Sequence, residues 1–88
     1  PVQYVLRQNY PNPFNPVTKI EFQLPKGEYV TLKVYDVSGK LVGILADGYQ
    51  TSGSHFINYD ASRLSSGVYF YRLEAGKNSL TKKMILVK

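Results

Sequence analysis

Ser54, His55 and Asp60 are the three residue types of a hydrolytic triad, and they lie within one short stretch of the chain. A serine nucleophile needs a histidine base within hydrogen-bond reach and a carboxylate that orients that histidine. The surrounding sequence has no G-x-S-x-G turn that would present such a serine, and His55 is the only histidine. The simpler interpretation is a strand histidine with one satisfied hydrogen bond, so the sequence predicts no catalytic triad.

The other residues that could bind a metal or transfer protons are too scattered to form a site. The chain has one histidine, six acidic residues and no cysteine, which gives no ligand spacing typical of zinc. No aspartate begins the spaced pattern of a calcium-binding loop. The glutamates Glu21, Glu28 and Glu74 fall on different segments, so no carboxylate pair is indicated for acid–base catalysis. The sequence therefore predicts no enzyme, no cofactor and no small-molecule substrate.

The elements that would have to position any site are strands. Apolar and polar residues alternate in IEFQL (20–24) and VTLKV (30–34), which is the pattern of half-buried strands. Turn-forming segments rich in Gly, Asp, Asn and Ser separate further strand candidates at residues 41–46, 55–59, 68–75 and 80–87, with a short one near 4–7. We therefore predict an all-β fold, an antiparallel sandwich of about seven strands. The predicted core includes Ile20, Phe22, Leu32, Val34, Leu41, Val68, Tyr69 or Phe70, and Leu73.

Four residues are predicted to shape the turns of this sandwich: Asp36, Gly39, Asp60 and Gly67. In YDVSGK, the Asp36 side chain can accept from the backbone two residues on, while Gly39 takes a positive φ. Asp60 is expected to cap a single helical turn in DASRL, with Leu64 folding back on the core. Gly67 stands at a strand boundary. Each turn residue thus has a structural reason for its position.

The segment NYPNPFNP, residues 9–16, is predicted to be a rigid structural clasp at the entrance to the domain: Asn9, Tyr10, Pro11, Asn12, Pro13, Phe14, Asn15 and Pro16. Its three prolines fix their own φ and remove backbone donors, so the segment can be neither helix nor central strand. Its asparagines can bond nearby backbone groups, and its two aromatic rings are expected to be buried. A weak PxxP match leaves open the alternative of a ligand for a groove that binds polyproline helices.

The net charge of +5 and the isoelectric point near 9.5 would permit binding to nucleic acid, acidic glycans or anionic lipid surfaces. The cations gather only at the end, where Lys77, Lys82, Lys83 and Lys88 follow Gly76 without an acidic residue. Eight tyrosines on strands could form a stacking platform, but tyrosine is also a favoured structural residue of strands. We expect the structural use and no nucleic-acid partner.

The order of these motifs is more specific than any one of them. NYPNPFNP, TKIEFQLP, VTLKVYDVSGKLV, SGSH, YD, LSSGVYFYRL and TKKMILVK follow one another along the chain. Over residues 6–88 this order resembles the type A sorting domain of the type IX secretion system of Bacteroidota. The resemblance implies an Ig-like sandwich that is not catalytic. The pattern of strands and turns independently predicts one domain at residues 9–88, preceded at 1–8 by the end of a linker and a first edge strand.

The resemblance also implies a partner and a route. Family members follow large exported proteins and are recognised by an outer-membrane translocon. The chain would therefore carry an N-terminally attached cargo through the periplasm to the cell surface or the medium. A sortase-like protease would cut at or before the first few residues. The expected recognition residues form the basic last strand, which is expected to be exposed to a receptor: Thr81, Lys82, Lys83, Met84, Ile85, Leu86, Val87 and Lys88.

Two alternatives to the sorting domain remain open. One is an Ig-like accessory module that binds glycans or acts as a spacer in a multidomain secreted hydrolase. The other is a nucleic-acid binder, which only the charge and the tyrosines favour. Alternation alone leaves open which face of the last strand is buried, because Lys82 and Lys88 share a face with Leu80, Met84 and Leu86. In either case we expect a monomer.

Overall fold

The computed structural model describes residues 3–88; Pro1 and Val2, part of the predicted linker, lie outside the described residues. It contains seven strands: β1 (Val5–Leu6), β2 (Val17–Leu24), β3 (Glu28–Tyr35), β4 (Leu41–Gln50), β5 (Gly53–Asp60), β6 (Gly67–Ala75) and β7 (Asn78–Leu86). They form a three-stranded sheet, β1-β2-β5, and a four-stranded sheet, β4-β3-β6-β7, with all strand pairs antiparallel. No helix that could cross a membrane occurs among these residues. The predicted all-β, Ig-like sandwich is confirmed.

The core lies between the two sheets and is built by alternation. Six apolar side chains from β2 and β3 are fully buried: Ile20, Phe22, Leu24, Val30, Leu32 and Val34. Each such side chain contributes roughly 1.5–3 kcal/mol by leaving water. The intervening residues face outward, as the period of two requires.

On β6 the buried face is the one that carries two tyrosines. The buried residues are Tyr69, Tyr71, Leu73 and Ala75. Of the two residues predicted as alternatives, Tyr69 rather than Phe70 therefore belongs to the core. The prediction that Val68 belongs to the core was wrong, because its neighbour Tyr69 takes the inward position and Val68 is half-buried on the opposite face.

The core prediction was also wrong for Leu41, which is exposed at the start of β4. The register between β3 and β4 shifts between Val34 and Tyr35, and Tyr35 is paired with Leu41. Such an irregularity changes which side of the sheet a residue faces. Val42 packs against the core instead.

Most strands are longer than the alternation predicted, and β4 and β7 show the reason. β4 continues to Gln50, because Glu28 and Tyr29 of β3 provide pairing partners for Gln50 and Tyr49. β7 begins at Asn78, which pairs with Ala75 across a tight hairpin. Backbone pairing thus converts predicted turn residues into strand.

Candidate recognition surface

The three triad residue types do not come together. His55 places Nε2 at 2.7 Å from the carbonyl oxygen of Thr51, and its ring stacks on Phe22 at 5.3 Å between centroids. Asp60 is at the far end of β5, roughly 17 Å from His55 at the usual rise of a strand. Its carboxylate accepts a hydrogen bond from the backbone N–H of Ser62 at 2.9 Å. His55 is a satisfied strand histidine, as the sequence indicated.

The acidic residues likewise serve local structure. Within residues 3–88 no three His, Asp or Glu side chains are grouped so that they could hold a metal ion. Glu28 accepts a hydrogen bond from the hydroxyl of Tyr4, and Glu21 forms an ion pair with Arg7 at 3.7 Å. The described residues thus give no support for acid–base or metal chemistry.

The Asp36 hairpin is built as the sequence predicted. Its Oδ1 accepts from the N–H of Ser38 at 2.9 Å, the hydroxyl of Ser38 at 2.7 Å and the N–H of Lys40 at 3.0 Å. Gly39 takes a φ of 86°, a conformation that favours glycine. The hydrogen bond from the Ser38 hydroxyl and the one from the Lys40 backbone lower the pKa of Asp36, because they stabilise its charged form.

The turn after β5 is closed by Asp60 and by one backbone bond. The N–H of Leu64 donates to the carbonyl of Ala61 at 3.0 Å, and Leu64 packs against the core as expected. The result is a single hydrogen-bonded turn that is too short to be a helix. Gly67 begins β6 directly after it.

Two tyrosines that could have formed a stacking platform are part of the core. Tyr69 and Tyr71 are buried, so neither presents a ring to a sugar or a base. The hydroxyl of Tyr69 donates to the carbonyl of Ser65 at 2.6 Å. The structural use of these two residues is confirmed.

The clasp, residues 9–16, lies against β7. Phe14 is only 2% exposed and joins the core, as predicted. Its N–H donates to the carbonyl of Ile85 at 3.0 Å, and its carbonyl accepts from the N–H of Val87 at 2.9 Å. Asn12 adds a third bond, in which its Oδ1 accepts from the N–H of Ile85 at 2.9 Å. Just before the clasp, the side chain of Gln8 donates to the carbonyl of Lys83 at 2.6 Å.

The prediction that Tyr10 is buried was wrong, because Tyr10 is 80% exposed. Its N–H and carbonyl both bond to the backbone of Lys19, at 2.9 Å each, so this part of the chain is extended. Neighbouring side chains of an extended chain point to opposite sides. Asn9 takes the buried side, and the ring of Tyr10 therefore faces solvent.

Asn9 is the polar centre of the clasp. Its side chain donates to Thr18 Oγ1 at 3.0 Å and to the carbonyl of Pro11 at 3.1 Å, and the Thr18 hydroxyl donates to the same carbonyl at 2.8 Å. The backbone N–H of Asn9 donates to the hydroxyl of Tyr71 at 2.7 Å. These bonds satisfy polar groups that would be costly to bury alone.

Tyr71 connects the clasp to β6. Its hydroxyl donates to the carbonyl of Arg7 at 2.7 Å while it accepts from Asn9. Burial raises the pKa of Tyr71 to about 12, because the ionised phenolate would lose its water. This contact could not be predicted, because alternation predicts the face of a residue and not which distant segment it meets.

The remaining clasp residues complete the entrance to β2. Pro16 accepts a hydrogen bond at its carbonyl from the N–H of Ala61 at 2.9 Å. Asn15 and Pro13 are exposed. The peptide bonds that precede Pro11, Pro13 and Pro16 are all cis.

The last strand has one buried and one outward face. Met84 and Leu86 are buried in the core and Leu80 is half-buried, which settles the open choice of face. The other face carries Thr81, Lys83, Ile85 and Val87, of which only Ile85 is half-buried and the rest are exposed. Lys82, although on the inner face, is exposed at the edge of the sheet.

Positive charge accumulates along β7. Lys82 and Lys83 are exposed, and within residues 3–88 the single ion pair is the one between Arg7 and Glu21. Lys88 is held by its Nζ donating to the carbonyl of Ser62 at 2.5 Å and its N–H donating to Ser66 Oγ at 2.9 Å. β7 and the residues after it thus present exposed cations, of which Lys88 is held in place by hydrogen bonds.

A family model described as a secretion system C-terminal sorting domain matches residues 8–88. The chain belongs to this family, the sorting domains of type IX secretion. Neither the curated proteins nor the solved structures gave a match to this chain. The match begins at Gln8, the first residue whose side chain bonds to β7, so the sorting domain includes the whole clasp.

Membership determines the broad role of the chain. A sorting domain of this family is a non-catalytic signal for type IX secretion. It implies the type IX machinery as partner, a cargo on the N-terminal side, and export to the cell surface or secretion.

Proposed function

We infer that this sorting domain directs the protein that precedes it through the outer membrane, after transit through the periplasm, for attachment to the surface or release. The observation that carries the inference is the family match over residues 8–88. The closed core and the local roles of His55 and the carboxylates agree with a domain that is recognised and performs no chemistry.

The translocon contacts the last strand, residues 81–88. Thr81, Lys82, Lys83 and Val87 are exposed there, and their backbone is held between β6 and the segment 8–14. A receptor surface of opposite charge would be attracted to the lysines and oriented by them. Because the strand is already ordered before binding, its conformational entropy is not lost when the receptor binds.

The clasp defines where the cargo stops and the signal begins. The chain enters alongside β7, and its bonds to β7 and β6 are all made by residues 7–14. The sandwich thereby completes its own core with Phe14 and needs no contact from the preceding domain. This arrangement supports independent folding behind different cargoes.

A sortase-like protease of the host separates cargo and signal upstream of the clasp, at or before the first few residues. Residues 5–14 are paired with or bonded to the sandwich, so we expect cleavage before them. Mass spectrometry of the released domain in a host with type IX secretion tests this. A new N-terminus inside residues 9–16 would contradict it.

The export function is tested by fusing the domain behind a periplasmic reporter in a host with type IX secretion. The fusion should reach the surface or medium, and the reporter alone should stay in the periplasm. Deleting residues 81–88 should also retain the reporter, but this deletion removes Met84 and Leu86 from the core and so unfolds the domain. Substitution of exposed residues is therefore the sharper test of recognition. An intact, folded fusion that stays in the periplasm would refute the function.

A further inference from the structure

The outward face of the four-stranded sheet carries a groove beside the Asp36 hairpin. It has a volume of about 360 Å³ and is lined by Tyr35, Asp36, Val37, Gly39, Phe70, Arg72 and Thr81. This volume lies near the lower end of the range for ligand pockets and would hold one or two side chains. The groove reaches β7 through Thr81, so it is continuous with the proposed recognition strand.

The floor of the groove combines the aromatic rings of Tyr35 and Phe70 with the guanidinium of Arg72. The Cζ of Arg72 lies 4.8 Å from the centroid of the Tyr35 ring. This contact orients the guanidinium without using its N–H donors. Within residues 3–88 the single ion pair joins Arg7 and Glu21, so no carboxylate is paired with Arg72. The Arg72 side chain is thus half-buried, is oriented by the Tyr35 ring, and can donate hydrogen bonds to a ligand.

The charges around the groove are mostly positive. The sheet register sets Lys33 and Thr81 on either side of Arg72, and Lys83 beside Phe70. Of the nearby carboxylates, Asp36 is engaged by Ser38 and Lys40 of its own turn. Glu74, two residues along β6, accepts from the hydroxyl of Thr31 at 3.4 Å. A ligand for this surface should therefore carry negative charge next to an apolar group.

We propose that the groove binds an extended peptide segment of a partner protein, with a carboxylate side chain on Arg72 and, two residues away in the peptide, an apolar side chain on Tyr35 and Phe70. A planar guanidinium matches a carboxylate in two parallel hydrogen bonds. The small, concave shape suits side chains, whereas a membrane surface or a nucleic acid would contact a broader basic face. This deepens the proposed function, on which it rests for placing the partner in the export machinery.

The binding part is tested on the isolated domain by titrating the ¹⁵N-labelled protein with a short, acetylated and amidated peptide. The probe contains one glutamate and one phenylalanine separated by a single serine, with further serines on both sides, so that both side chains of the extended peptide lie on the same face. It should shift the amide signals of Tyr35, Phe70, Arg72 and Thr81 in a saturable way. A peptide with glutamine in place of glutamate should bind about tenfold more weakly or worse, as expected for loss of a charged hydrogen bond.

Arg72→Gln should weaken binding of the glutamate peptide to a similar extent, whereas Arg63→Gln, which removes an exposed arginine outside the groove, should not. Equal binding of the two peptides, equal loss in the two variants, or shifts outside the groove would overturn the proposal. The peptide comparison needs no variant, so it decides the matter even if Arg72→Gln does not fold. If Arg72 is required for binding to phosphatidylglycerol vesicles but not for binding to the peptide, the ligand of the groove is a membrane surface and not a peptide.

The export part is tested separately with the reporter fusion. Arg72→Gln should lower export while Arg63→Gln leaves it unchanged. If Arg72→Gln abolishes peptide binding but export is unaffected, the partner does not belong to the export machinery. If the intact fusion is not exported, the proposed function fails, and the peptide titration still decides whether the groove binds.

Discussion

Phe14 and Leu86, near opposite ends of the sequence, lie side by side in a parallel bridge in which Phe14 makes both backbone hydrogen bonds. β7 is the edge strand of its sheet, and an open edge offers unpaired N–H and carbonyl groups to other chains. The clasp occupies this edge between Ile85 and Val87. The segment that enters the sorting domain thus stabilises the strand on which we expect recognition to occur.

We expect substitutions of the two aromatic residues of the clasp to change the stability of the domain by unequal amounts. Phe14→Ala should lower the free energy of unfolding by on the order of 3 kcal/mol, because it empties a buried site in a small core. Tyr10→Ala should change it by less than about 0.5 kcal/mol, because the ring is exposed. Urea unfolding of both variants measures the difference. Equal midpoints for Phe14→Ala and the parent would favour the alternative in which the clasp is a ligand.

Hydrogen exchange should detect the bonds between the clasp and β7. The amides of Ile85 and Val87 point away from β6, yet they should be protected, because Asn12 and Phe14 accept from them. Asn12→Ala should reduce protection of Ile85 by about tenfold, as for loss of one hydrogen bond, and affect Val87 less. Asn15→Ala, at an exposed position, is the matched control. Fast exchange of both amides in the parent would mean that the clasp is not docked.

Alkaline pH should destabilise the domain through Tyr71. Its pKa is raised from 10.0 to about 12 in the folded state, so its contribution is fully present below pH 10 and is lost as pH rises through 12. A shift of two units corresponds to roughly 2.7 kcal/mol. Urea unfolding at pH 8 and near pH 11.5 should show this loss for the parent.

Tyr71→Phe provides the control for the alkaline loss. It should be less stable at pH 8 by about 1–3 kcal/mol, because the carbonyl of Arg7 and the N–H of Asn9 lose their partner. Its further loss at high pH should be smaller than that of the parent, since it lacks the Tyr71 hydroxyl and the two proteins are otherwise identical. If the free energy of unfolding falls equally with pH in the variant and the parent, Tyr71 is not the group responsible for the loss.

Acid should weaken the β3–β4 hairpin through Asp36. Its pKa is lowered from 3.8, so the stabilisation is present above that value and is lost as pH falls through the folded pKa. Ser38→Ala should bring the pKa of Asp36 back toward 3.8, because the Ser38 hydroxyl is the largest cause of the shift. Titration of the carboxyl signal by NMR measures both values. A pKa of Asp36 that Ser38→Ala does not raise would contradict this origin.

Much of the sandwich could be predicted from the alternation of apolar and polar residues. The predictions that were wrong have physical causes. The buried faces of β2 and β3 are predictable because a strand's period of two sorts residues such as Ile20 and Leu32 to the core. Leu41 could not be placed correctly, because an irregular register near Tyr35 is not visible in the spacing of apolar residues. Tyr10 was predicted to be buried because its side chain is aromatic. Its backbone pairing with Lys19 instead determines that the ring lies on the solvent side of the chain.

The candidate site was predictable only in outline. The basic character of the last strand is visible in Lys82 and Lys83, and the rigidity of the clasp in its prolines. That Phe14 meets Leu86 depends on how the two ends of the chain come together in three dimensions. The groove at Arg72 depends in the same way on neighbouring strands, since Tyr35 lies on β3 and Thr81 on β7.

Export of a reporter fused to the charge-reversed domain, Lys82→Glu with Lys83→Glu, tests most directly whether the last strand is what the translocon recognises. Both side chains are exposed, so the fold should persist, and unfolding of the purified variant verifies that it does. Lys26→Glu with Lys77→Glu is the matched control, because it makes the same change in net charge at exposed positions outside β7. We expect the first variant to remain mostly in the periplasm and the control to be exported like the parent. Export of the folded charge-reversed fusion at the parent's level would contradict electrostatic recognition through the last strand.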